Sequence, residues 1–237
     1  MFWSKILRFF SEDIAMDLGT ANTLLYTRDG GIIVNEPSVV AIDTRNNEVL
    51  AVGSEAKRAR GRTPKRIKTI RPMKSGVIAD FDTTSRMIVY FVNKAIGRSH
   101  LVKPSLVISV PTGITGVEKK AVIDAAATAG AGRVSLIEEP MAAAIGADLP
   151  VTEPVGTLIA DIGGGTSEVA VITMSAITVS QSIRIAGDAM NEILLRMLRD
   201  KYRLDVGENT AEHLKILLGS TQPVPDLPDY AEISGRD

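Results

Sequence analysis

Apolar residues in this chain come in short runs, and the punctuation between the runs sorts them into strands and helices. Residues 14–16 and 24–26 flank Asp17-Leu18-Gly19-Thr20-Ala21-Asn22-Thr23, and residues 158–160 and 169–172 flank Asp161-Ile162-Gly163-Gly164-Gly165-Thr166-Ser167. Both stretches predict strand, tight glycine turn, strand. Gly30-Gly31 and Asn46-Asn47 then break up strand-like runs at 32–35, 39–43 and 48–52, which predict a meander followed by a short helix over 54–60. Met87, Ile88, Phe91, Val92, Ala95 and Ile96 recur at helical spacing, so 83–96 is expected to be a helix ended by Gly97. Residues 106–110 read as a buried strand, 115–129 as an alanine-rich helix stopped by Gly130, 134–137 as a strand and 141–145 as a short helix. Alternation of this kind predicts mixed α/β layers with parallel pairing.

The second glycine turn follows a linker-like stretch at 150–154 and opens a similar unit. Residues 177–185 continue its sheet, 188–203 form an amphipathic helix, 210–218 a shorter one, and Ala231-Glu232-Ile233 a strand start. The second half thus begins like the first and breaks off early, which predicts a C-terminally truncated chain.

Composition narrows the chemistry. The 237 residues are 45% hydrophobic and 23% charged with a net charge of −1, ordinary for a globular protein and without a global pull on nucleic acid. There is no cysteine and only His100 and His213, so thiolate and multi-histidine metal sites are excluded. No run approaches the roughly 20 apolar residues that span a bilayer. The first ten residues stand apart, holding the only Trp and three of the five Phe. On a helix, Phe2, Trp3, Ile6, Phe9 and Phe10 share one face while Lys5 and Arg8 lie elsewhere. This predicts an amphipathic helix lying in a membrane surface; the alternative is a terminal helix packed on the protein's own core. Residues 57–74 carry nine basic side chains and no acid. A solvated face is the leading explanation, contact with a partner subunit or phosphates the next, and single-stranded nucleic acid is disfavoured because no aromatic residue interleaves the cations.

The glycine turns are neither a Walker loop nor a dinucleotide fingerprint, because strands follow them. They fit phosphate oxygens against backbone N–H groups, with glycine at Gly163, Gly164 and Gly165 permitting positive φ and close approach. Asp17 and Asp161 would face a Mg²⁺ ion through its waters. One such turn alone reads as a plain hairpin; two with matched aspartates point to a nucleotide held between related halves.

Asp17–Thr23, the stretch from Glu138 to Gly146 and the stretch from Asp161 to Val171 resemble the signatures of the actin, sugar kinase and heat-shock chaperone ATPase fold. Asn35-Glu36-Pro37-Ser38-Val39, Arg71-Pro72-Met73 and Gly76-Val77-Ile78-Ala79-Asp80 narrow the resemblance to the MreB family of bacterial actins, over residues 13–220. It implies an actin-like α/β fold, two related halves of mixed sheets flanked by helices around a nucleotide cleft, the second half incomplete. The implied parts are an anchor helix (1–12), a first subdomain (13–38 and 75–150) with an insert (39–74), and two partial subdomains (151–187 and 188–237). It also implies ATP and Mg²⁺ as ligands. Thr20, Ala21 and Asn22 would line the first phosphate loop, and Gly163, Gly164, Gly165 and Thr166 the second. Glu139 and Thr166 would orient the water attacking the γ-phosphate, although a carboxylate at a helix start also suits the helix dipole. Glu212 and Lys215 would lie beside sugar and base. His213 stands where the family usually has Arg, and its plain reading is an exposed helix position. The implied partners are other copies of the chain in filaments, the inner face of the cytoplasmic membrane, and cell-shape and wall-synthesis membrane proteins, with no nucleic acid. Localisation would be cytoplasmic and peripheral to that membrane, and hydrolysis slow and tied to polymerisation. The family chain continues past residue 237 with a third glycine-rich loop over the base. The isolated chain is therefore expected to bind ATP weakly and to aggregate. A soluble sugar kinase or chaperone-type ATPase of the same fold is the competing expectation.

Overall fold

The computed structural model describes residues 13–59, 64–96, 103–222, 225, 228 and 230–236. The proposed anchor residues Phe2, Trp3, Ile6, Phe9 and Phe10 lie outside them. The chain divides into two compact units, Met1–Arg184 and Ile185–Asp237.

In the first unit, β1 (Asp13–Leu18), β2 (Asn22–Thr27), β3 (Gly31–Pro37), β9 (Ser105–Val110) and β10 (Arg133–Glu138) form a five-stranded sheet in the order β10-β9-β1-β2-β3. β1, β9 and β10 run parallel and the β1-β2-β3 meander is antiparallel, the mixed arrangement predicted. Along β1, exposed and buried positions alternate, so Ile14, Met16 and Leu18 turn to the core. They meet Leu106 and Ile108 of β9, Phe91, Met87 and Ile88 of α2 (Phe81–Ile96), and Val122, Ala125 and Ala126 of α3 (Gly116–Thr128). The helix α2 starts two residues before the expected position because the Asp80 carboxylate accepts hydrogen bonds from the Thr83 N–H and hydroxyl (3.0 and 2.9 Å), capping the first turn. At α3, Thr115 and Glu118 form a reciprocal capping box.

Between β3 and α2 lies a smaller sheet, β5-β4-β6, built from β4 (Val40–Asp43), β5 (Glu48–Val52) and β6 (Ile67–Ile70), with α1 (Ser54–Ala59) against it. The Glu36 carboxylate ties these pieces together, accepting from the Ser54 N–H (2.7 Å) and hydroxyl (2.6 Å) and pairing with Lys94 of α2. A further hairpin joins β7 (Met73–Lys74) to β8 (Val77–Ile78); Ser75 and Gly76, both at positive φ, make its two-residue turn. In the basic stretch, Arg66 pairs with the buried Asp43, which also holds Arg45.

The second glycine turn sits in a three-stranded antiparallel sheet of β11 (Thr157–Ile162), β12 (Ser167–Thr173) and β13 (Ala176–Ile183). The helix α4 (Glu139–Gly146) packs on β11 and β12. The register places Leu158, Val169, Val179, Ile162 and Ile183 on one face, and all five are exposed. Residues 150–154 are not a free linker. Val151 and Glu153 carbonyls accept from the Ser175 and Met174 amides (2.7 and 3.0 Å), lashing the segment to the β12–β13 turn.

The second unit contains α5 (Gly187–Tyr202) and α6 (Glu208–Leu218), packed together. Arg203 in the left-handed region ends α5. Residues 231–233 are not a strand; the tail instead returns as a single bridge between Arg236 and Asp205, which also binds Arg199 (2.7 Å).

Candidate nucleotide site

Both predicted hairpins form, with one register. Leu18 pairs with Thr23 and Asp17 with Leu24; Ile162 pairs with Ser167 and Asp161 with Glu168. Four residues separate the last paired positions in each, so the aspartates occupy equivalent places at the strand ends. Both turns belong to the first unit, and they meet. A Cβ on Gly164 would stand 2.6 Å from the Ala21 Cβ and 3.2 Å from its nitrogen, and one on Gly165 would stand 2.5 Å from the Thr20 hydroxyl. The expectation of positive φ at Gly163, Gly164 and Gly165 is not met; none lies among the positive-φ glycines. At Gly164 and Gly165, close approach of the opposing segment rather than left-handed backbone demands the absent side chain.

The first turn is braced from several sides. The Thr20 hydroxyl accepts from the Gly76 N–H (2.8 Å), and the Ser38 hydroxyl donates to the Gly19 carbonyl (2.7 Å). Thr20 is therefore buried, while Ala21 is half-buried and Asn22 exposed. In the second turn the Gly163 N–H closes on the Thr166 carbonyl (2.9 Å), and Gly165 and Thr166 are buried. Gly76 is wedged in: a Cβ there would lie 2.8 Å from both Thr166 Cγ2 and Pro111 Cγ. A cavity of about 250 Å³ opens beside this point, lined by Ser75, Pro111, Thr112, Thr166, Ser182 and Arg184.

Carboxylates crowd the same place. Burial raises the Asp17 pKa, the Ser109 hydroxyl (2.9 Å) opposes that, and the charge of Asp161 adds to it. Glu139 is the first residue of α4, where the helix dipole favours an anion by roughly 0.3–1 kcal/mol. Its pKa is nevertheless pushed up to about 8, by burial first and then by Asp17, Glu168 and Asp161. Burial and like-charge repulsion outweigh the dipole. Such a cluster fits a cation that relieves the repulsion. Among the described residues no three carboxylates or imidazoles converge closely enough to cage a metal directly.

The remaining predicted residues fall in the second unit. Glu212 and Lys215 share α6, and the Lys215 ammonium donates to the Gly187 carbonyl (3.0 Å). His213 is exposed, matching its plain reading. Three contributors escaped the sequence reading: Ser109, Gly76 and Glu168. The signal for one of them was present: Glu168 is a charged residue on the strand face of the buried Ala170 and Ile172.

Two facing strand-turn-strand units, one on a mixed sheet and one on an antiparallel sheet, with an acidic helix start beside them, define an actin-like α/β fold. Solved structures agree: MreB5 of Spiroplasma citri bound to ADP superposes with a TM-score of 0.85 at 33% identity, covering 91% of this chain and 65% of that one. The AMPPNP-bound form matches equally. The MamK double helical filament, TM-score 0.73 at 22% identity, shares the fold. Residues 11–237 match the family model of the MreB/Mbl protein, and the chain belongs to the MreB/Mbl family. It is 47% identical to the cell shape-determining protein Mbl of Bacillus cereus over 228 residues, 96% of this chain and 68% of that protein. Identity to the cell shape-determining protein MreB of Escherichia coli is also 47%, over 98% of this chain and 68% of that protein. The chain thus spans about two thirds of the length of these relatives.

Proposed function

We propose that this chain is an ATP-binding, actin-like cytoskeletal protein that assembles with copies of itself at the inner face of the cytoplasmic membrane and helps to maintain cell shape by organising wall synthesis. The observation that carries this reading is the contact of two hairpin turns of identical register, Gly164 against Ala21, with Asp17, Asp161 and Glu139 beside them. Relatives named for cell-shape determination, and a structural neighbour crystallised with ADP and with AMPPNP, support it. The amphipathic pattern of the first ten residues supports membrane attachment, where several copies acting together compensate for a short helix.

In this reading the turn amides of Ala21, Asn22, Gly164 and Gly165 would receive phosphate oxygens, and Asp17 and Asp161 would face a Mg²⁺ ion. The ion supplies charge neutralisation for phosphoryl transfer. Thr166 and Glu139 would orient the attacking water. Calorimetry with ATP and ADP, with and without Mg²⁺, tests the site. Sedimentation and electron microscopy with anionic liposomes test the assembly. Nucleotide binding together with lipid-bound filaments is the expected result. Binding to nucleotide with turnover of a free sugar and no filaments would replace this reading with a sugar kinase.

A further inference from the structure

Glu168 is a charged residue in a place where the strand pattern calls for an apolar one. On β12 it shares a face with Ala170 and Ile172, and it is only 1% exposed. Its direct cross-strand partner is Asp161, a like charge, which destabilises a sheet pair. Oε1 accepts two hydrogen bonds from one residue, the Thr112 N–H and hydroxyl, each 3.0 Å. Oε2 is buried without a partner among the described residues. A carboxylate in this setting works against stability, and an apolar residue would fill the strand face at less cost. What it supplies is a connection. Thr112 lies in the turn that leaves β9 of the five-stranded sheet, whereas Glu168 belongs to the three-stranded sheet.

That connection closes a ring around Thr166. Thr20 binds the Gly76 amide, Gly76 is wedged between Pro111 and Thr166, and Thr112 beside Pro111 is held by Glu168, two residues on from Thr166. We propose that Glu168 is a positioning residue of the nucleotide site: by clasping Thr112 it holds the Pro111–Gly113 turn against Gly76 and so fixes the Thr166 side chain relative to the first phosphate turn. The role of Thr166 toward a γ-phosphate rests on the function proposed above; the clasp itself does not.

The test uses the full chain and two kinds of readout. Amide hydrogen exchange of segments 75–78 and 111–114 reads the clasp without nucleotide. Glu168→Ala should speed exchange in both by at least about tenfold. Thr112→Val, which keeps the N–H and loses the hydroxyl, should give a smaller increase, and Glu168→Gln, which keeps an acceptor oxygen, should restore most of the protection. The second readout is affinity for AMPPNP against ADP. Weakening of AMPPNP binding by about tenfold with ADP binding unchanged is expected for Glu168→Ala, because only the former places a γ-phosphate by Thr166; a merely structural defect would weaken both alike. Should the alanine variant fail to fold, Thr112→Val and Glu168→Gln carry both measurements. Unchanged exchange in folded variants overturns the proposal, as does equal weakening of both nucleotides. If the unaltered chain binds neither nucleotide, the functional reading fails and the Glu168 role at a nucleotide site falls with it, while altered exchange would still establish the clasp.

Discussion

The two hairpins that meet at the candidate site share a turn length and a register, yet they are supported differently. Opposite Asp17 stands Leu24, and Ser109 hydrogen-bonds the carboxylate; opposite Asp161 stands Glu168, a second carboxylate. Beneath the first hairpin, Ile14, Met16, Leu18 and Leu25 are all buried in the main core with Phe91 and Ile108. The sheet of the second is covered by α4, while Leu158 and Ile162 on its other face are each 66% exposed. Turn geometry is therefore a local property of seven residues, whereas the firmness of each turn depends on what packs behind its sheet. The first hairpin rests on the main core, and the second is tied through Glu168 to Thr112, just beyond the end of β9.

That contrast can be broken most forcefully in the core. Phe91→Ala, which empties a fully buried site under the first hairpin, should lower unfolding free energy by about 3–5 kcal/mol in urea titrations. Next in size is the contact of the turns. Gly164→Ala places a methyl 2.6 Å from the Ala21 Cβ and should destabilise by about 1–3 kcal/mol while weakening ATP binding. Gly163→Ala meets nothing nearer than the Thr166 carbonyl at 3.5 Å and should change stability by less than about 0.5 kcal/mol. Equal effects of the two would mean that the turns do not touch in solution.

Electrostatics sharpens the comparison further. Glu139 has a folded-state pKa of about 8 against an ordinary 4.5. Below pH 4.5 it is protonated folded or unfolded and contributes no pH dependence. Between pH 4.5 and 8 the unfolded chain ionises while the folded one does not, so stability falls as pH rises, and the loss is complete above pH 8. Glu139→Gln should remove this slope, leaving the variant the more stable of the two at pH 8.5 and unchanged at pH 4, as read by thermal melts. The smallest effect belongs to the open face of the second sheet. Leu158→Ser should alter stability by less than about 0.5 kcal/mol and reduce self-association in light scattering. A loss of about 2 kcal/mol or more would show that this face is covered in solution.

Much of this architecture was legible from periodicity and punctuation. The apolar run at 14–16 ahead of a glycine turn specified a strand, and the stripe from Met87 to Ile96 specified α2. The places where local reading failed are those where distant segments decide the outcome. Residues 150–154 look like a linker until the β12–β13 turn supplies hydrogen bonds, and 231–233 look like a strand start although no neighbour among the described residues pairs with them as a ladder. The hairpin around Ser75 and Gly76 has only two paired positions, too few to show a period.

At the site itself, the sequence alone determined two turns, their matched aspartates and the residue types that suit phosphate, because turn chemistry depends on a few adjacent residues. Three matters were decided only in three dimensions. Glycine at Gly164 and Gly165 is required by the opposing turn rather than by backbone handedness. The raised pKa of Glu139 is set first by burial and then by carboxylates that are remote along the chain. Glu168, unremarked in the linear pattern, becomes the tie between two sheets. In each case the physical cause is proximity between segments far apart in the chain, which no local periodicity records.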